Sequence, residues 1–147
     1  MGKIVVSACL LGHNCKYNGG NNRCEAVLRF TAGKEVVAVC PEQLGGLPTP
    51  RIPAEIVEGE VRNASGESVD AAFREGARRA AALLDGEDVE LAILQPRSPS
   101  CGVREVYDGT FSRRLIPGQG VFARLLTERG IRVLETCDLP GGEDDGR

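Results

Sequence analysis

The chain has no tryptophan, a single histidine, and only four phenylalanines and two tyrosines among its 147 residues. Its core must therefore rest on Val, Ile, Leu and Ala. One imidazole, His13, cannot build a histidine-based metal site, and in a loop it reads as an ordinary surface residue. No apolar run approaches the roughly 18 residues that mark a spanning helix. Runs of Lys or Arg are missing too, and 18 basic against 21 acidic residues leave a net charge of −3. That balance argues against nucleic acid as a partner, because phosphate binding needs clustered cations. No two cysteines stand two residues apart, which counts against a dithiol redox protein.

What the chain does have is six cysteines and 19 glycines. Lys3 and the apolar residues after it could be mistaken for a signal peptide. Ile4, Val5 and Val6 are β-formers followed soon by polar residues 13–16, so the segment reads as a first strand. The expected location is cytoplasmic, with no membrane partner. There cysteines serve as ligands, nucleophiles or buried thiols rather than as disulfides.

The length fits one domain, expected over residues 1–137, followed by an acidic, glycine-rich tail over 138–147 that reads as disordered. Strands are expected at 3–8, 35–39, 91–94 and 131–134, and helices at 23–31, 69–84 and 121–128. The helix at 69–84 is the clearest, with Val69, Ala72, Phe73, Ala77, Ala80 and Leu84 on one face, Ser68 as its cap and Gly86 ending it. Residues 40–53 hold four prolines and two glycines, which excludes regular structure. Residues 56–62 alternate like an edge strand, and 95–120 read as a long loop. Alternating strands and helices predict an α/β fold: a single three-layer domain, a mostly parallel open sheet of about four to five strands with helices on both faces, Rossmann-like.

Three cysteines follow strands in this reading. Cys9 comes after the first, Cys40 after the second and Cys101 shortly after the third. The C-terminal ends of parallel strands share one edge, where open α/β sheets bind ligands. Three thiols gathered there suggest a metal or an iron–sulfur cluster with a coordination position left open. Cys24, on a helix, and Cys137, beyond the fourth strand, read as structural. Arg51 and Arg97 are candidate anion binders, Asp108-Gly109 a tight turn, and the glycine-rich entry to the last helix (GQGVFARLL) leaves phosphate binding open.

The blocks SACLLG with the following C.YNGG, then CPEQLGGLPTPRIPAE, RSPSCG and YDGTFSRRLIPGQGVFARLL resemble the bacterial thiouracil desulfurase family, in that family's order, across residues 3 to about 135. Lys16 and Asn18 stand where the family usually has Arg and Asp. The resemblance implies a [4Fe-4S] cluster held by Cys9, Cys40 and Cys101, with Cys15 as a reserve ligand. It also implies catalytic positions at Glu42 and Ser98. The implied activity is non-redox removal of sulfur from a thiolated pyrimidine such as 2-thiouracil, or a related thiolated base or nucleoside. Cluster-assembly machinery is the implied protein partner, and the oligomeric state stays open. Bland readings compete at two positions: Glu42 could pair with Arg51, and Ser98 could simply form a turn. Two other functions compete as well. One is a zinc-binding structural or interaction module closed by Cys9, Cys15, Cys40 and Cys101; the other is a nucleotide-binding module without catalysis.

Overall fold

The protein is described from a computed structural model covering residues 2–140. Its centre is a parallel sheet of β1 (Lys3–Ser7), β2 (Val36–Val39), β5 (Val89–Leu94) and β8 (Val133–Glu135), in the order β2-β1-β5-β8. Each of these strands pairs in parallel with its neighbours, Val5 standing against both Val37 and Ala92. The α/β class and its parallel sheet therefore hold, with four strands. The chain leaves β1 toward β2 on one side and returns to β5 on the other, so the switch point lies between β1 and β5.

Strand periodicity sorts the core into two layers. Ile4, Val6, Leu91 and Ile93 face α1 (Glu25–Thr31), burying Ala26 and Val27. Val5, Ala92 and Leu94 face the other way, against α3 (Asp70–Ala82) and α4 (Val121–Glu128), which contribute Ala77, Ala80, Phe122 and Leu126. Fully burying a Leu, Ile or Phe stabilises by about 1.5–3 kcal/mol. Covering both faces is what lets a parallel sheet read as continuous apolar runs.

Several expected elements differ. Residues 40–53 do contain a helix, α2 (Pro41–Leu44), because proline at the first helical position has no amide to lose. Residues 56–62 are not one edge strand. They belong to an antiparallel hairpin of β3 (Ala54–Val57) and β4 (Glu60–Asn63), turned by Glu58 and Gly59, both at positive φ. The loop 95–120 contains a second hairpin, β6 (Glu105–Tyr107) with β7 (Leu115–Pro117). Ser68 does not cap α3; its hydroxyl donates to Glu60, and Asp70 instead accepts the Val61 amide. Cys24 is the residue before α1 and packs beside the core, in line with a structural role. Leu139 is 5% exposed and Asp138 pairs with Arg104, so the packed chain runs past residue 137. Residues 141–147 of the expected tail lie outside the described residues.

Candidate active site

The C-terminal ends of β1, β2 and β5 open onto one cavity of about 770 Å³, and Cys9, Cys15, Cys40 and Cys101 all line it. Cys9 sits in a 3-10 turn directly after β1. Cys40 bridges β2 and α2. Cys101 lies in the loop after β5, only 4% exposed. Cys137 is exposed, contacts Arg104 at 3.3 Å and does not line the cavity. His13 is exposed as well.

The thiols stand beside polar groups of the loops. Cys40 Sγ donates to the Cys15 carbonyl oxygen at 3.8 Å. Asn22 donates its amide to Cys9 Sγ at 3.6 Å, and Ser100 its hydroxyl to Cys101 Sγ at 3.6 Å. Burial pushes the Cys101 thiol up to about 12, against hydrogen bonds from Ser7 and Ser100. The Cys15 thiol stands at about 11: its bond with Cys40 pulls it down, and its bond to Cys9 together with burial outweighs that pull. Cys40 is pushed far up by its hydrogen bond to Cys15 and then by burial.

These shifts make a prediction. Without metal, the folded protein keeps protons that the unfolded chain releases near the ordinary thiol pKa of about 8.5. A folded state that binds more protons than the unfolded one loses stability as pH rises. Metal-free protein should be at full strength below about pH 8.5 and weaken as pH climbs toward 12, the value reached by Cys101. Urea midpoints at about pH 7.5 and about pH 10, with the Cys101→Ala variant losing less, check this. Equal losses in both proteins would remove Cys101 as a cause.

Glu42, in the first turn of α2, reaches the same cavity. Its carboxylate pairs with Arg51, the two side chains being only 15% and 7% exposed, and its other oxygen accepts the Ser100 hydroxyl at 3.1 Å. The Arg51 pair raised as the bland reading is thus present, in the cavity wall. Arg51 also donates to the Cys15 carbonyl at 2.9 Å and to Pro48 and Thr49. Its guanidinium thus holds the Glu42 carboxylate and ties it to the loops.

Ser98 lines the cavity, and its Oγ accepts the amides of Ser100 and Cys101, both at 3.1 Å. Its hydroxyl meets that of Ser100 at 2.9 Å. Ser98 thus forms the turn that presents Cys101, while Ser100 is the hydroxyl on Glu42. Sequence reasoning missed Ser100; the only signal was its place inside the SPSCG block.

The phosphate reading of the GQG segment fails for a physical reason. The first amides of α4 are already taken: Val121 donates to the Pro99 carbonyl at 2.9 Å, and Phe122 and Ala123 donate to that of Ser100 at 2.8 and 3.1 Å. The cysteine loop therefore occupies the helix N-terminus. Gly120 is required there, since a Cβ would lie 2.5 Å from the Ser100 carbonyl carbon.

The soft metal-ligating side chains on the cavity are thiols. Cys9, Cys15, Cys40 and Cys101 line one cavity, and thiolates are the ligands of iron–sulfur clusters. A cluster spreads its irons over a larger body and takes thiolates from a wider ring. Soft thiol donors from three strand ends lining one roomy cavity fit such a cluster.

An open α/β sheet whose strand ends and the loops after them carry four cysteines onto one cavity has the donor set of a metal–sulfur protein. The sequence matches the 2-thiouracil desulfurase family over residues 4–138, and the chain belongs to that family. It is 40% identical over 146 residues to the uncharacterized protein YbbK of Bacillus subtilis (strain 168), covering 92% of this chain and 97% of that one. Its fold is similar to that of a solved [4Fe-4S]-dependent thiouracil desulfidase, TudS, with a TM-score of 0.89, 38% identity, and coverage of 96% of this chain and 95% of the other.

Proposed function

We propose that this protein is a cluster-dependent, non-redox desulfidase that replaces the sulfur of a thiolated pyrimidine such as 2-thiouracil with oxygen from water. The observation that carries the reading is the convergence of Cys9, Cys40 and Cys101 from three strand ends on one cavity that Glu42 also lines. These three cysteines hold the [4Fe-4S] cluster, with Cys15 in reserve. When bound, the cluster supplies a soft, Lewis-acidic iron suited to a thiocarbonyl sulfur.

The chain's own groups handle water and protons. Glu42 takes a proton from the attacking water, and the Arg51 pair keeps its carboxylate aimed. Ser98 acts through the turn beneath Cys101, its hydroxyl holding the Ser100 and Cys101 amides and the Ser100 hydroxyl that bonds Glu42. Water contributes the oxygen and two protons, and sulfur departs as sulfide with no electron gained or lost. One α/β body carries all of these groups. Among the described residues no helix is long and apolar enough to cross a membrane; the proposed location is the cytoplasm, where cluster-assembly machinery loads the site.

The test is iron and acid-labile sulfide on anaerobically reconstituted protein, with the Cys101→Ala variant alongside. Iron and sulfide in equal amounts, lost in the variant, together with sulfide release from 2-thiouracil, are expected. Zinc alone, or no iron under reconstitution, would sink the reading.

A further inference from the structure

Of the four phenylalanines, Phe73 and Phe122 are buried and Phe30 is half-buried; only Phe111 is exposed, at 39%, and it lines the cavity that holds the cysteines. It lies in the turn 108–114 between β6 and β7. Phe111 has φ 57° and Arg113 φ 65°, a region that bulky side chains avoid unless the surroundings hold them there. The holding group is Glu55 on β3. Its Oε1 accepts the amides of Gly109 and Phe111, both at 3.0 Å. Gly109 lies so close to β3 that a Cβ would come within 2.7 Å of the Ile56 carbonyl oxygen. Two amides on one carboxylate oxygen, and a backbone pressed against a strand, fix the turn. Glu55 ends the long CPEQLGGLPTPRIPAE block, and the chemistry assigned to the cavity does not use it.

We infer that Phe111 supplies an aromatic face on which the flat heterocycle of the substrate stacks, and that Glu55 is the positioning residue that holds it at the cavity mouth. A strained turn that presents an exposed aromatic ring to a cavity is difficult to explain by packing, since apolar side chains gain most by burial. A planar thiolated base has a π-face that an aromatic ring can meet, whatever its ring substituents. Phe111 thus selects for aromatic rings over puckered ones and acts on binding, while Glu42 acts on proton transfer. The inference rests on the desulfidase reading for its substrate.

The experiment compares cluster-loaded wild type with Phe111→Leu, Phe111→Tyr, Glu55→Ala and Glu55→Gln. It reads KM and kcat for 2-thiouracil, the dissociation constant of uracil, and amide hydrogen exchange over residues 108–114. Phe111→Leu should raise KM and weaken uracil about fivefold to tenfold, by losing one stacking face, with kcat and iron content nearly unchanged. Phe111→Tyr should restore both. Glu55→Ala should speed exchange of the turn amides and reproduce the KM defect, and Glu55→Gln, which keeps an acceptor oxygen, should recover most of it. A wild type that releases sulfide, beside a Phe111→Leu variant with unchanged KM and uracil affinity, overturns the inference and leaves the desulfidase reading standing. A wild type that releases no sulfide but loses uracil affinity on Phe111→Leu does the reverse. Unchanged exchange in Glu55→Ala removes Glu55 as the latch.

Discussion

Replacing Glu42 by Gln should lower sulfide release from 2-thiouracil by about 10²–10⁴-fold, the usual contribution of a positioned general base, while iron and sulfide content should stay at the wild-type level. Gln matches Glu in shape and keeps one oxygen to accept from Arg51 or Ser100, so the loops that carry Cys15 and Cys101 should stay in place. What Gln lacks is the ability to take a proton. The buried Arg51 charge loses its counterion, which costs stability, and activity should be read well below the unfolding temperature. Retention of more than about a tenth of wild-type turnover would remove Glu42 from proton transfer. Iron loss in parallel with activity would instead make it a structural anchor of α2.

The second large effect lies away from the thiols, where α2 crosses α3. A Cβ on Gly76 would stand 1.8 Å from the Pro41 carbonyl oxygen, and one on Gly45 would stand 2.0 Å from that of Ala72. Backbone meets backbone at this crossing, with no flexible side chain able to yield. The Arg79 guanidinium adds a bond to the Leu44 carbonyl at 2.9 Å. Gly76→Ala must push α2 outward, and α2 begins one residue after Cys40 and contains Glu42. The expected outcome is destabilisation of about 3 kcal/mol, with reduced iron loading, although residue 76 is not itself at the cavity. A urea midpoint and an iron assay check it. Wild-type stability and loading together would show that the crossing has slack.

The parallel sheet was legible because strands covered on both faces read as short Val- and Ile-rich runs, such as Ile4–Val6 and residues 91–94. That alone brought Cys9, Cys40 and Cys101 to one edge, because parallel strands end on the same side. Helix α4 matched its expected span, residues 121–128, with apolar spacing and Gly130 marking it. The misses came where local sequence is a poor witness. Four residues are too few for α2 to show a period. The two hairpins hide because their turns, at Glu58-Gly59 and 108–114, rely on non-glycine residues at positive φ. Ser100 on Glu42, Arg51 on the Cys15 carbonyl, and the SPSCG carbonyls on the α4 amides are all pairings between distant segments. Spacing along the chain carries no trace of them. Phosphate binding by GQG failed because protein carbonyls already fill the first amides of α4.

The route to the loaded protein follows from where the thiols come from. Cys9, Cys40 and Cys101 belong to separate strand ends, and no short stretch of nascent chain can offer all three at once. A zinc finger differs, because its metal gathers neighbouring ligands and drives its folding. In the proposed ligand set it is the long-range parallel pairings of β1 with β2 and β5, slow to form by their nature, that bring the three thiols together. On that ligand set, loading would be a maturation step on a folded apoprotein, with the folding time setting the earliest moment of activity.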